Sequence, residues 1–233
     1  MAGSETINNP GFWSPDSTTF VYPSLRHEWE KVRMPDGAPQ GIGPLVGASR
    51  GGTWSDAGTI LLSLGKMPTF RLSTLPSAGG DLTAVIFSKE SGDAGTIPSS
   101  LGKTPPFRLS TLPSTGGDLK DVDFPKQFSA GDYIYPEFIP GSEDFLFFYL
   151  PLPDAEGGSV YLATLHEGKC VNPIPLLVNE TGARYTPAGE GRLLYVRNDN
   201  LYSQKLNLRR RALEGEADLV VQESLRRSEP IFQ

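Results

Sequence analysis

Apolar and polar residues alternate along much of this chain. Trp29 and Val32 are interleaved with Glu28, Glu30 and Lys31; Phe70, Leu72 and Thr74 with Arg71 and Ser73; Val160, Leu162 and Thr164 with Tyr161 and Ala163. A period of two predicts half-buried β-strands, because successive side chains leave a strand on opposite faces. Short polar turns punctuate these segments. Phe12-Trp13-Ser14-Pro15-Asp16-Ser17, Thr53-Trp54-Ser55-Asp56-Ala57-Gly58, Phe138-Ile139-Pro140-Gly141-Ser142-Glu143 and Tyr185-Thr186-Pro187-Ala188-Gly189-Glu190 each place an aromatic just before a reversal and an apolar strand just after it. Second turns follow at Pro35-Asp36-Gly37, Ser77-Ala78-Gly79-Gly80, Ser114-Thr115-Gly116-Gly117 and Glu167-Gly168-Lys169. The predicted unit is therefore four antiparallel strands, repeated roughly every 40 to 50 residues, which is the pattern of a β-propeller blade. The expected fold is all-β: a propeller of about five four-stranded blades over 9–233, at approximately 9–48, 49–90, 91–131, 132–181 and 182–230, after a disordered tail at 1–8. Residues 213–225 carry some helical spacing, but Gly215 and the β-rich Leu219-Val220-Val221 favour a strand.

An internal repeat is visible directly. Asp56-Ala57-Gly58-Thr59-Ile60 returns as Asp93-Ala94-Gly95-Thr96-Ile97, and residues 70–77 return unchanged at 107–114. Over 55–90 against 92–127 roughly two thirds of positions agree, closer than repeats that share only a fold. Within the second copy, Leu61-Leu62 has become Pro98-Ser99, and Ser88-Lys89-Glu90-Ser91 stands where the first copy has Gly51-Gly52-Thr53-Trp54. That copy is expected to form a two- or three-stranded blade or a protruding hairpin.

Composition narrows the function classes. With 26 glycines and 21 prolines in 233 residues, a helical bundle is excluded, since Gly and Pro both oppose helix interiors. A net charge of -6 offers no field for polyphosphate, so no nucleic-acid partner is expected. Arg209, Arg210 and Arg211 are followed by Glu214, Glu216 and Asp218, and the arginines are expected to lie at a solvated strand end. One cysteine, Cys170, permits no intrachain disulfide and no thiolate metal site. The apolar run at 145–152 is too short for a membrane helix, and residues 1–9 lack the features of a signal peptide, so no membrane insertion by this chain is expected.

The turn beginning Phe12-Trp13-Ser14-Pro15-Asp16 resembles the W-S-P-D-G turn of TolB-like (WD-type) propellers. Ala48-Ser49-Arg50-Gly51-Gly52-Thr53-Trp54-Ser55-Asp56-Ala57-Gly58-Thr59-Ile60 resembles propellers attached to bacterial Ser/Thr protein kinases of acidobacterial type. Tyr185-Thr186-Pro187-Ala188-Gly189 with Leu193-Leu194-Tyr195-Val196-Arg197 is similar to a later blade of those domains. The resemblance implies a non-catalytic sensor or scaffold that binds a protein or small ligand on its face, in an extracytoplasmic (periplasmic) setting. Neither end of the chain clearly supplies a closing strand, so a piece of a longer propeller is expected. Two alternatives remain: a structural or engineered repeat duplication with no activity of its own, and a propeller hydrolase.

Candidate chemistry is sparse. His27 and His166 sit in no metal-ligand motif, no G-x-S-x-G elbow occurs, and the kinase signatures are absent, so no catalytic residue, cofactor or metal site is assigned. Asp16, Asp56 and Asp93 each place one carboxylate in a turn, too few for calcium and suited to closing an Asx-turn. Trp13, Trp54, Phe138 and Tyr185 are expected at equivalent buried positions between blades.

Overall fold

The computed structural model describes residues 11–65, 71–74, 83–86, 106–128, 130–151, 157–179 and 181–222. Sheet I is a meander of β1 (Phe12–Trp13), β2 (Thr19–Pro23), β3 (Glu28–Arg33) and β4 (Gln40–Pro44). Sheet II begins with β5 (Ala48–Trp54) and β6 (Thr59–Gly65). Among the described residues the next two strands, β7 (Arg71–Thr74) and β8 (Thr83–Ile86), pair only with each other, and sheet II is completed by β9 (Arg108–Pro113) and β10 (Lys120–Asp121). Sheet III contains β11 (Gly131–Phe138), β12 (Asp144–Pro151), β13 (Gly158–His166) and β14 (Lys169–Asn179). Sheet IV contains β15 (Ala183–Thr186), β16 (Arg192–Arg197), β17 (Asn200–Asn207) and β18 (Ala212–Val221). All pairings between these strands are antiparallel. The chain is all-β, a succession of propeller blades. Helix among the described residues is limited to single 3-10 turns at Lys126–Phe128 and Ala188–Glu190.

Burial explains the strand patterns. The second strands of sheets II and III read TILLSLG and DFLFFYLP, nearly continuous apolar runs, because each sheet has a neighbour on both faces. On β6, Ile60, Leu62 and Leu64 join Val21, Trp29 and Ile42 of sheet I, while Leu61 points the other way, towards Tyr133, Phe138 and Phe145 of sheet III. On β12, Phe145, Phe147 and Tyr149 face sheet II, and Leu146 and Phe148 meet Leu193, Tyr195 and Leu206 of sheet IV. Among the described residues three cores result, one per junction, and none of them joins sheet I to sheet IV. Close approach at the first junction depends on Gly52, where a Cβ would stand 2.4 Å from the Phe12 ring.

Four described four-stranded sheets stand where about five blades were expected. Among the described residues the spans 49–90 and 91–131 contribute one four-stranded sheet, sheet II: its first two strands come from the first span and its last two from the second. The physical reason is that β6 has one free edge once β5 is paired, and the two identical segments are equal candidates for it. A detached hairpin is indeed present, but it belongs to the first copy rather than the second. The expected departures at Ser88-Lys89-Glu90-Ser91 and Pro98-Ser99 lie outside the described residues. Residues 212–221 form a strand, with Gly215 at φ +69° inside it.

The buried positions before the first turns are not equivalent. Phe138 is buried, Trp54 and Tyr185 are partly buried against the cores, and Trp13 is 49% exposed. Phe12 and Trp13 are successive residues of β1 and so leave on opposite faces. Phe12 turns inward against Trp29, while Trp13 packs on Phe20 on the opposite face of sheet I, against which no other described sheet packs. Trp29, fully buried on β3, fills the role assigned to Trp13. Trp29→Ala is therefore expected to lower stability by about 3 to 5 kcal/mol, and Trp13→Ala by less than about 1 kcal/mol. Urea unfolding of both variants measures the difference.

Candidate ligand-binding groove

In a four-stranded meander, the turns joining the first two strands and the last two lie at the same end. Residues 14–18, 55–58, 139–143 and 187–191 therefore gather at one pole with residues 34–39, 114–119, 167–168 and 208–211. Chain reversal there requires left-handed backbone at a few points, such as Gly58 at φ +83° and Gly141 at φ +73°.

Asp16 and Asp56 occupy this pole in different ways. The Asp16 carboxylate accepts the Ser14 hydroxyl and, within its own turn, the backbone N–H of Thr18 at 3.1 Å and the Thr18 hydroxyl at 3.0 Å. These donors, the Ser14 hydroxyl first, hold its carboxyl below the usual carboxylate range. Asp56 instead reaches across a junction, accepting the Gly141 N–H at 2.7 Å and tying the turn of sheet II to that of sheet III. Asp93 lies outside the described residues.

Beside Asp56 an open cleft of about 220 Å³ runs between sheets II and III, walled by Ala57, Thr59, Phe138, Ser142, Glu143 and Leu165. A second open cleft, of about 390 Å³, shares Ala57 and Thr59 and continues over Thr111, Pro113, Ser114, Asp118 and Lys120. The two make one shallow groove lined, among the described residues, by three carboxylates, Asp56, Asp118 and Glu143, and one ammonium, Lys120. His166, at the end of β13, places Nδ1 3.8 Å from Glu143 at the rim, and both side chains are exposed. His27 is exposed in the turn between β2 and β3, far along the chain from the groove.

Two charged residues that hold the neighbouring junction are not apparent from the sequence pattern. Arg211 was expected at a solvated strand end. Its guanidinium is instead inserted against sheet III, donating to Asp144 Oδ1 at 2.9 Å, to Leu162 O at 3.3 Å and to Asn172 O at 3.2 Å. Arg209 and Arg210 are exposed, and nothing in the triplet distinguishes the third arginine before the chain has turned. Glu137, on β11, accepts the backbone N–H of Tyr185 at 3.2 Å and lies 3.8 Å from Arg184. Burial pushes its carboxyl above the usual range, against the opposing pull of Arg184 and the Tyr185 N–H. Burial likewise pushes the Cys170 thiol up to about 12, leaving it a weak nucleophile.

No family model matches the chain, and no curated protein sequence matches it. Among solved structures it is similar to the dihydro-heme d1 dehydrogenase NirN in complex with DHE, at 12% identity and a TM-score of 0.47, covering 92% of this chain and 38% of that one. TolB from Acinetobacter baumannii gives 12% identity and a TM-score of 0.36, covering 84% of this chain and 51% of that one. The chain thus spans about half the length of the second structure and less of the first.

Arg211→Ala removes the guanidinium from Asp144, which keeps the Thr164 hydroxyl, and from two carbonyls at the junction of sheets III and IV. It is expected to cost about 1 to 3 kcal/mol, with Arg211→Lys restoring little, because an ammonium cannot fork across these acceptors. Paired urea titrations measure both.

Glu137 generates a pH prediction. Because its carboxyl is raised in the fold, the native chain binds more protons than the unfolded one as pH climbs from the ordinary carboxylate range to the higher native value, and stability falls across that window. Glu137→Gln keeps an acceptor for the Tyr185 N–H and removes the titration. Relative to the parent chain, the variant is expected to be more stable at pH 7 than at pH 4, read from unfolding midpoints at both.

Proposed function

We propose that the chain is a non-catalytic binding module that takes an extended, basic segment of a partner protein along the groove at its turn-bearing pole. The observation that supports this reading is the junction of two open clefts over Ala57 and Thr59, bordered by Asp56, Asp118 and Glu143. An enclosed small-molecule site surrounds most of its ligand. A shallow groove that runs past two sheets favours a chain laid along it. The carboxylates favour positive charge in that chain through complementary potential. Placing this module in the sensor or interaction part of a bacterial signalling protein, on the extracytoplasmic side, is supported by the resemblance of residues 48–60, 185–189 and 193–197 to kinase-attached propellers.

Ala57 is exposed and common to both clefts, so Ala57→Trp blocks the groove with little effect on the fold. Peptides selected on the parent chain from a displayed random library are expected to be rich in Lys and Arg and to lose at least tenfold in affinity on the variant. Selected peptides that bind the variant equally well would overturn this placement.

A further inference from the structure

We propose that residues 70–77 and 107–114 are interchangeable third strands of sheet II, so that the molecule exchanges one hairpin for the other at the free edge of β6. Three observations carry this. The two segments are identical over eight residues, Phe-Arg-Leu-Ser-Thr-Leu-Pro-Ser. Each forms a hairpin with the strand that follows it in the same register: Thr74 pairs with Thr83 and Ser73 with Ala84 in one, and Thr111 with Lys120 and Ser110 with Asp121 in the other. One hairpin is installed, with Thr59 opposite Pro113, Leu61 opposite Thr111 and Leu64 opposite Arg108, while the other pairs with no third strand among the described residues.

The forces selecting between them are opposed. Chain connectivity favours the first copy, because only residues 66–70 separate Gly65 from Arg71, whereas residues 66–107 separate it from Arg108. Loop closure favours the shorter link by a factor on the order of ten. Short links are also what sheets I and IV use, at residues 24–27 and 198–199. Contacts outside the shared eight residues favour the second copy. The Ser110 hydroxyl donates to Asp121 at 2.9 Å, where the first copy has Ala84, and Phe128, just past the end of the second copy, is buried beside sheet III, whereas the residue just past the end of the first copy is Ser91. Everything that identical residues provide to β6 is common to both states and cannot choose.

Exchange also changes the groove. Lys120 and Thr115 line the second cleft, and the equivalent residues of the first copy are Thr83 and Ala78, so the groove's one ammonium leaves with the second hairpin. This consequence rests on the groove being a binding surface. The exchange itself does not, and the experiment below reads it without any ligand.

Disulfide trapping distinguishes the states. The Ser114 N–H donates to Gly58 O at 2.8 Å, so Thr59 and Pro113 form the adjacent non-hydrogen-bonded pair, in which side chains stand closest. Two variants are made, Thr59→Cys with Pro113→Cys and Thr59→Cys with Pro76→Cys, both keeping the buried Cys170. Under mild oxidation the first is expected to close completely. The second is expected to close within single chains in at least about a tenth of molecules, because the bond accumulates a minor state as it forms. In that trapped form Leu112→Ala should no longer shift the unfolding midpoint, and Leu75→Ala should. The proposal is overturned if the second pair stays reduced while the first closes, if it closes only between two chains, or if its trapped form remains as sensitive to Leu112→Ala as the first.

Discussion

Face-to-face burial of the second strand in sheets II and III is the constraint on which the remainder of the structure depends. A strand covered on both faces has no solvent side, so β6 and β12 are apolar at nearly every position. Each contributes alternate residues to two different cores. The sheets at the ends of the succession are under no such demand. Burial alternates along β16, where Leu193 and Tyr195 are buried and Leu194 and Val196 are not, and sheet I carries half-exposed aromatics such as Trp13.

Apolar layers alone would let neighbouring sheets slide. Hydrogen bonds that cross each junction prevent this, because buried backbone groups left out of the ladders must find partners. The inner strands β5 and β11 both carry bulges, and the groups around them are taken up by the adjacent sheet. Thr53 Oγ1 accepts the Phe138 N–H at 3.1 Å, and the Ser63 hydroxyl donates to Tyr133 O at 2.6 Å. Lys31 donates to Ser114 O at 2.7 Å between sheets I and II, and Arg211 and Glu137 act between sheets III and IV. These bonds fix the relative height of the sheets, and hence which turns become neighbours at the pole. The proposed groove is a product of that alignment: Asp56 and Gly141 are 85 positions apart in the chain and meet only because sheets II and III are held level.

The repeated segment exposes a limit of local information. Identical residues carry identical strand propensity, turn chemistry and alternation, so no reading of 70–77 or 107–114 by itself selects between them. The selection lies in what surrounds them: the length of chain to β6, Asp121 against Ala84, and Phe128 against Ser91. Dividing the duplicated region at its sequence boundary yields two blades; dividing it by hydrogen bonding yields one sheet that uses half of each copy.

Strand type and turn position were determined by the sequence alone, because alternation, Gly and Pro punctuation and β-branched runs act within a few residues. They were enough to establish an all-β succession of four-stranded units, and to place β18 as a strand despite its partial helical spacing. Which aromatic before a turn is buried was decided by tertiary structure, since Trp13 and Phe138 hold the same local position, and among the described residues a further sheet covers Phe138 and none covers Trp13. The same is true of Arg211, one of three adjacent arginines and the one whose backbone, at φ +53°, aims its side chain at Asp144. Local pattern sets what a residue can become, whereas burial and long-range pairing depend on neighbours that arrive from elsewhere in the chain.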